Sequence, residues 1–162
     1  TMARNGTTYG LRLAGAPQWF LTESPPVQDA LYYPGQGPET SAPDIGDSAV
    51  LELIGLGGAA AANSPAVAGF LGGRMSDAIA ATRRMQRICA GESNRFRLPI
   101  LDHIGTPVGV DVRSVVEAGV GPAVNTGVVH VSDGTGQVGA GVAYAPLACF
   151  VDALFDLDRR MA

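Results

Sequence analysis

Residues 53–73 carry no charged side chain, and what they can form constrains the fold more than any other part of the sequence. A membrane-spanning helix needs about 20 predominantly apolar residues in an unbroken run. Here the residues are mainly Ala and Gly, and Asn63-Ser64-Pro65 interrupts them midway. Ser64 before Pro65 is instead an N-cap followed by proline at the first helical position, where its missing N–H is not needed. Two short buried helices are therefore expected, and no membrane partner.

The other elements are short and punctuated by glycine. Residues 9–13 and 19–22 read as strands, residues 27–33 add apolar and aromatic content, and residues 34–43 read as a surface loop. Asp44 and Ser48 are placed to cap a helix through Val50, Leu51 and Ile54. Ser76 is placed to cap the longest helix, with Ile79, Thr82, Met85 and Cys89 at three- and four-residue spacing and Gly91 as its stop. Residues 96–104 and 107–112 read as strands joined at Gly105-Thr106, and residues 114–118 as a helical turn closed by Gly119. Residues 123–131 read as a strong strand, 133–141 as a glycine-rich loop, and Pro146 starts a helix with Leu147, Phe150, Val151, Leu154 and Leu157 on one face. There is no strict βαβ rhythm. The expected fold is α+β, a single domain over residues 1–162 with helices packed on a mixed sheet.

A chain of 162 residues buries about 70% of its unfolded surface, enough for a core without staples. With 46% hydrophobic and 16% charged residues it is too apolar for a disordered chain. Its mean hydropathy of +0.17 is high for a free-standing domain, so another domain, another subunit or the rest of a longer protein is expected to cover part of its surface, and a homo-oligomer is expected. All eleven basic residues are Arg, which excludes Schiff-base chemistry and a P-loop lysine. A net charge of −4 argues against nucleic acid as a partner. Cys89 and Cys149, sixty residues apart, are in no metal-ligand spacing and read as reduced, buried thiols. The opening Thr1-Met2-Ala3-Arg4-Asn5-Gly6 has no secretory pattern, so a cytoplasmic protein is expected.

Gly134-Thr135-Gly136-Gln137-Val138-Gly139 matches G-x-G-x-x-G between an expected strand and an expected helix, but no second strand follows to present a ribose-binding acid. Two readings of this run stand: its amides converge on an anion, or its glycines serve tight turns and close packing. Asn125 and Thr126 offer an amide and a hydroxyl that can orient a carbonyl or carboxylate. His130 can exchange a proton near neutral pH, although a strand histidine is more often only hydrogen-bonded; His103, beside Asp102, is a weaker case. Asp44, Asp47 and Ser48, with Glu52 one turn further, could hold a hydrated cation or move a proton, but oxygen ligands at one locus define no metal site and capping explains Asp44 and Ser48. No cofactor is expected. Among the arginines, Arg4 stands out through its setting in Arg4-Asn5-Gly6-Thr7.

Taken in order, several runs resemble the YlbE-like family: Met2-Ala3-Arg4-Asn5-Gly6-Thr7, Asp44-Ile45-Gly46-Asp47-Ser48-Ala49, Ile54-Gly55-Leu56-Gly57-Gly58, Gly105-Thr106-Pro107-Val108-Gly109-Val110-Asp111, Asn125-Thr126-Gly127, Gly136-Gln137-Val138-Gly139-Ala140-Gly141 and Cys149-Phe150. Members of that family are longer, so the resemblance implies that this chain corresponds to their C-terminal part. It also implies a cytoplasmic protein of purine-nitrogen breakdown, related to subunits of an oxamate carbamoyltransferase that interconverts oxalurate plus phosphate with oxamate plus carbamoyl phosphate. The partner implied is an FdrA-like subunit or the missing N-terminal region, and the ligand a small carboxylate or phosphate. On that basis Arg4, Asn5, Gly134, Gly136, Gln137 and Gly139 are the candidates for the anion, Asn125 and Thr126 for an amide or carboxylate, and His130 or Asp47 for proton transfer. Val131 stands where the family often has a basic residue, so the histidine lacks an adjacent cation. The competing expectation is a non-catalytic assembly domain, or one that binds a nucleotide or CoA.

Overall fold

Asn5-Gly6-Thr7 folds the chain back on itself: Gly6 has φ +83°, and Asn5 Oδ1 accepts the N–H groups of Thr7 at 3.2 Å and Thr8 at 2.8 Å. This turn joins β1 (Met2–Arg4) to β2 (Thr8–Leu11), and β3 (Phe20–Glu23) completes an antiparallel sheet in the order β1-β2-β3. The computed structural model describes residues 1–43, 47–70, 73–132 and 134–161. Three-residue β1 is too short to show an alternating pattern, and the sequence reading passes over it.

β4 (Gln28–Tyr32) follows, and the segment after it holds a 3-10 turn at Pro38–Thr40 and an isolated bridge between Ser41 and His130. Two further 3-10 stretches come next, Asp47–Ile54 and Gly57–Asn63. Ser48 lies inside the first of them rather than capping it, and Asp44 lies outside the described residues. Ser64 does cap α1 (Pro65–Phe70), its Oγ accepting the Val67 N–H at 3.3 Å. No helix among the described residues is long and apolar enough to cross a membrane. The helix α2 (Met75–Gln86) starts at Arg74 instead of Ser76, with the guanidinium of Arg74 clasping the Asp77 carboxylate at 3.0 and 3.1 Å.

Gly91 does not stop that helix. It lies in β5 (Cys89–Leu98), which pairs with β6 (Ile104–Val110). The reversal between them falls at Asp102 and His103, both at positive φ, and not at Gly105-Thr106. Gly105 is needed within β6 because a Cβ there would overlap the backbone of Ser93. α3 (Val112–Ala118) is capped by Asp111, which accepts the Arg113 N–H at 2.9 Å, and ends at Gly119 in the left-handed region. β7 (Ala123–Val129) and β8 (Gln137–Tyr144) join β4 in the order β4-β8-β7, and α4 (Leu147–Met161) is longer than α2.

The architecture is α+β, as the sequence suggested. Its strands are divided among three small antiparallel sheets, in place of one mixed sheet, because short turns rather than crossover helices connect most sequential partners. The largest core cluster gathers Met2, Tyr9, Leu11 and Phe20 from the first sheet, Ala123 and Val142 from the second, and Met85, Ile88, Val115 and Phe150 from the flanking segments. Cys89 and Cys149 are free, and burial pushes each thiol up to about 12. At pH 8 roughly one thiol in ten thousand is then ionised. An aromatic disulfide reagent is expected to label neither cysteine within an hour in the folded chain and both once denaturant is added; absorbance at 412 nm reads the result.

Candidate functional site

An earlier glycine run, Gly55-Leu56-Gly57-Gly58, builds a polar centre around a buried carboxylate. Gly55 and Gly57 have φ +85° and +67°. A Cβ on Gly57 would overlap the carboxylate of Glu52, one on Gly58 would lie 2.9 Å from the Ala123 carbonyl, and one on Gly55 would overlap Thr106. These glycines let the start of the 57–63 stretch close over Glu52, which is fully buried. Glu52 Oε1 accepts the N–H groups of Gly58 and Asn125, both at 3.0 Å, and Oε2 that of Ala59 at 3.3 Å. Sequence reasoning offered converging backbone amides as one of two readings of the later glycine run; the anion here is the chain's own carboxylate. The signal available was the acid five residues before Gly57.

Burial pushes the Glu52 carboxyl up to about 7, the three amides pulling the other way without cancelling it. Tyr9 and Cys89, the titratable groups it influences, are both held protonated through that range. The folded state therefore binds the proton more tightly than the unfolded chain, whose carboxyl titrates near 4.5. Stability is expected to fall by roughly 3 kcal/mol as pH rises from about 4.5 to 7 and to level off above, measured by urea unfolding across pH. Glu52→Gln should flatten that slope.

Arg4 and Tyr9 are cross-strand neighbours with their side chains turned into the core, 6% and 0% exposed. Arg4 Nη2 donates to the carbonyl of Pro25 at 3.3 Å. Pro25 belongs to the wall of a cleft of about 490 Å³, which opens between the Gly6 turn, Ser24 to Val27, Tyr32, Ser41 and Val128, with Glu23 also on its wall. Tyr32 and Ser41 meet across it, hydroxyl to hydroxyl at 3.4 Å.

The remaining expected site residues are dispersed. Asn5 spends its side-chain oxygen on the β1–β2 turn. Asn125 gives its N–H to Glu52, whereas its side-chain Oδ1 and Nδ2 are both buried without a partner. Thr126 is buried, with its hydroxyl directed to the Gly127 carbonyl at 3.3 Å. His130 bridges to Ser41 on the cleft wall, and its Nδ1 accepts the Ser132 N–H at 3.3 Å. His103 is an exposed turn residue.

Gly134 and Gly136 sit at the exposed bend between β7 and β8, with open space around them. A strand follows this bend, so no helix N-terminus adds to its amides. Gln137 and Gly139 are in β8 itself: Gln137 Nε2 donates to the Gly139 carbonyl at 3.0 Å, and Gly139 packs within 2.6 Å, measured from an added Cβ, of the Leu31 carbonyl in β4. None of Gly134, Gly136, Gln137 or Gly139 lines the cleft; Gly136 is tied to it through His130, whose N–H reaches the Gly136 carbonyl at 2.9 Å. Asp47 opens the first long 3-10 stretch, and its side chain lies outside what the structure describes. Among the described residues no group of three His, Cys, Asp or Glu is arranged to hold a metal ion.

The family model described as oxamate carbamoyltransferase subunit AllG matches residues 1–48. Over 161 residues, 99% of this chain, the sequence is 41% identical to the uncharacterized protein YahG of Escherichia coli (strain K12), covering 34% of that protein. It is 40% identical, again over 99% of the chain, to the oxamate carbamoyltransferase subunit AllG of the same organism, covering 38% of it. A crystal structure of a conserved protein of unknown function from Enterococcus faecalis V583 superposes with a TM-score of 0.89 at 35% identity, over 98% of this chain and 38% of that one. The chain thus spans little more than a third of the length of these relatives. Together the matches support an AllG-like family.

Proposed function

We propose that this chain is the small-anion-binding domain of an AllG-like, or YlbE-like, subunit and corresponds to the C-terminal part of that longer protein. Its ligand is a small carboxylate or phosphate, in a cytoplasmic complex that interconverts oxalurate plus phosphate with oxamate plus carbamoyl phosphate alongside an FdrA-like partner. The observation that carries this reading, beside the 40% identity to AllG, is the cleft whose Pro25 wall is held by the buried guanidinium of Arg4. Arg4 does not itself line this cleft but stands behind its Pro25 wall, and a cation there, with the hydroxyls of Tyr32 and Ser41 on the cleft side, suits a carboxylate or phosphoryl oxygen. His130, bridged to the cleft residue Ser41, is the nearer of the two proton-transfer candidates; Asp47 is the other.

Calorimetric titration with oxamate, oxalurate, carbamoyl phosphate and phosphate tests the reading. At least one should bind the wild-type chain, with affinity falling about tenfold or more in Arg4→Met, since a charge-assisted contact is worth roughly 1.5–3 kcal/mol. Binding of none, or binding indifferent to Arg4→Met, ends it. A second reading, an assembly domain or one that binds a nucleotide or CoA, is favoured by a different observation: Gly139 and Gly141 are pressed against β4, as glycines needed for packing are.

A further inference from the structure

The 3-10 stretch Asp47–Ile54 wears its apolar side chains on the outside. With three residues per turn, positions three apart fall on one side, so the segment has three sides. Ala49 and Glu52, neither with any exposure, form the inner one. Val50 and Leu53 form the second and Leu51 and Ile54 the third, and Val50, Leu51 and Ile54 are 47%, 42% and 51% exposed. An α-helix over the same residues would have gathered those three on one buried face. The orientation is fixed from within, since the segment packs against β1, β6 and β7 and the Glu52 carboxylate is bonded to Gly58, Ala59 and Asn125. The apolar ridge cannot turn inward without breaking that centre.

Beside the ridge lies a hollow of about 200 Å³, walled by Leu11, Leu13, Leu53, Val110 and Phe150, with the exposed Ala14 at its edge. Leu53 belongs to both the stretch and the wall, so ridge and hollow adjoin on one face. Among the described residues no acid lines the hollow, and Arg12, which borders it, has its guanidinium drawn over the Trp19 ring at 5.2 Å. A cavity of about 150 Å³ with walls of this kind stays dry and takes a benzene-sized group, so this one has room for a branched aliphatic side chain.

A protruding ridge and a matching hollow on one face are the two halves of an isologous contact, in which each copy inserts its own ridge and receives the other's. We infer that Leu51 and Ile54 dock into the hollow of a second copy of this chain, forming a two-fold dimer through the 47–54 stretch. The three ridge side chains present roughly 250 Å² per copy, and with the hollow and its rim the total buried area comes to about 1,000 Å², the lower limit of a specific interface. That area suits a dimer that forms and separates, with a dissociation constant of about 10 μM. Exposure by itself does not make such a face. Phe155 is 65% exposed but stands singly on α4 among Asp152, Asp158 and Arg159, and a lone apolar side chain on a surface needs no partner. The dimer is independent of the anion-binding reading.

Sedimentation equilibrium at pH 6, from about 5 to about 500 μM chain, tests it. The wild type is expected to pass from monomer to dimer across that range. Ile54→Glu and Leu51→Asp should each weaken association about a hundredfold, because a charge would have to enter an apolar hollow. Ala14→Trp is the sharper arm: it adds exposed apolar surface, which strengthens any non-specific association, but overhangs the hollow and should weaken the dimer about tenfold or more. Phe155→Glu, or a rise to about 1 M salt, should leave the dissociation constant within about twofold, since no ion pair holds the contact. These positions are at the surface, so melting temperatures should stay within about 3 °C of wild type; if Ile54→Glu falls outside that, Leu51→Asp and Ala14→Trp decide. A monomer at every concentration overturns the inference and assigns the face to a different polypeptide. A dimer that survives Ile54→Glu and Leu51→Asp, one weakened as much by Phe155→Glu, or one tightened by Ala14→Trp overturns it equally.

Discussion

At pH 5, Glu52→Ala is expected to lower the melting temperature by about 10 °C. The substitution strips the acceptor from three backbone N–H groups, those of Gly58, Ala59 and Asn125, around a side chain with no exposure to solvent. Each unsatisfied buried donor costs about 1–3 kcal/mol, and the cavity left by the side chain adds to that, so about 3–5 kcal/mol is expected after local relaxation. In a chain of this size each kcal/mol corresponds to about 2–4 °C. Glu52→Gln at the same pH should lose about half as much, because the native carboxyl, pushed up to about 7, is itself protonated there and the carboxamide oxygen still accepts from Gly58 and Asn125, while its NH2 leaves the Ala59 N–H without an acceptor. Differential scanning calorimetry of the two variants separates the cases. A loss below about 3 °C for Glu52→Ala would sink the account of this centre.

Gly57→Ala is the second large effect. Its backbone sits at φ +67°, where a Cβ costs about 1–2 kcal/mol, and the added methyl would occupy the space of the Glu52 carboxylate. Glu52 must then move off the Gly58 and Ala59 amides, bringing the total to about 3–4 kcal/mol, or near 10 °C. Gly119→Ala provides the contrast: the same left-handed backbone at φ +62°, but nothing within 4 Å of the new atom, so only the conformational cost of about 1 kcal/mol remains. Equal losses in the two variants would show that backbone conformation alone explains Gly57.

What could be read from the sequence, and what could not, divides along physical lines. The strands 8–11, 20–23 and 123–129, the Ser64-Pro65 helix start, the short helix closed by Gly119 and the final helix were legible because periodicity and caps are local signals. The reversal at Asp102 and His103 was hidden, since positive φ is uncommon outside glycine even for Asp and His, which adopt it more readily than most side chains, and Gly105 nearby was the more plausible turn residue. Glycines 139 and 141 were misread as loop for a related reason: they are required where β8 approaches β4, and only the paired strand reveals that approach. At the candidate site, the chain's chemistry-bearing residues were recognised individually, but Glu52 was grouped with Asp44, Asp47 and Ser48 at a helix entrance as a cluster that could hold a hydrated cation or move a proton. Its burial depends on Gly57, Ala59 and Asn125 closing around it, a tertiary fact that no local pattern carries. Asn125 was singled out for its amide, yet nothing in the sequence says that this amide is left without a partner.

The tie between Glu52 and Asn125 joins positions 73 apart along the chain. The 47–63 region adopts 3-10 turns, whose hydrogen-bond geometry is poor, and one of its ties is to a strand that follows much later in the chain. Closing so long a loop costs entropy before any contact repays it, so the Glu52 centre is expected to form only when β7 docks. Until then the alanine- and glycine-rich middle of the polypeptide is expected to stay uncovered, and limited proteolysis during refolding should cut there first.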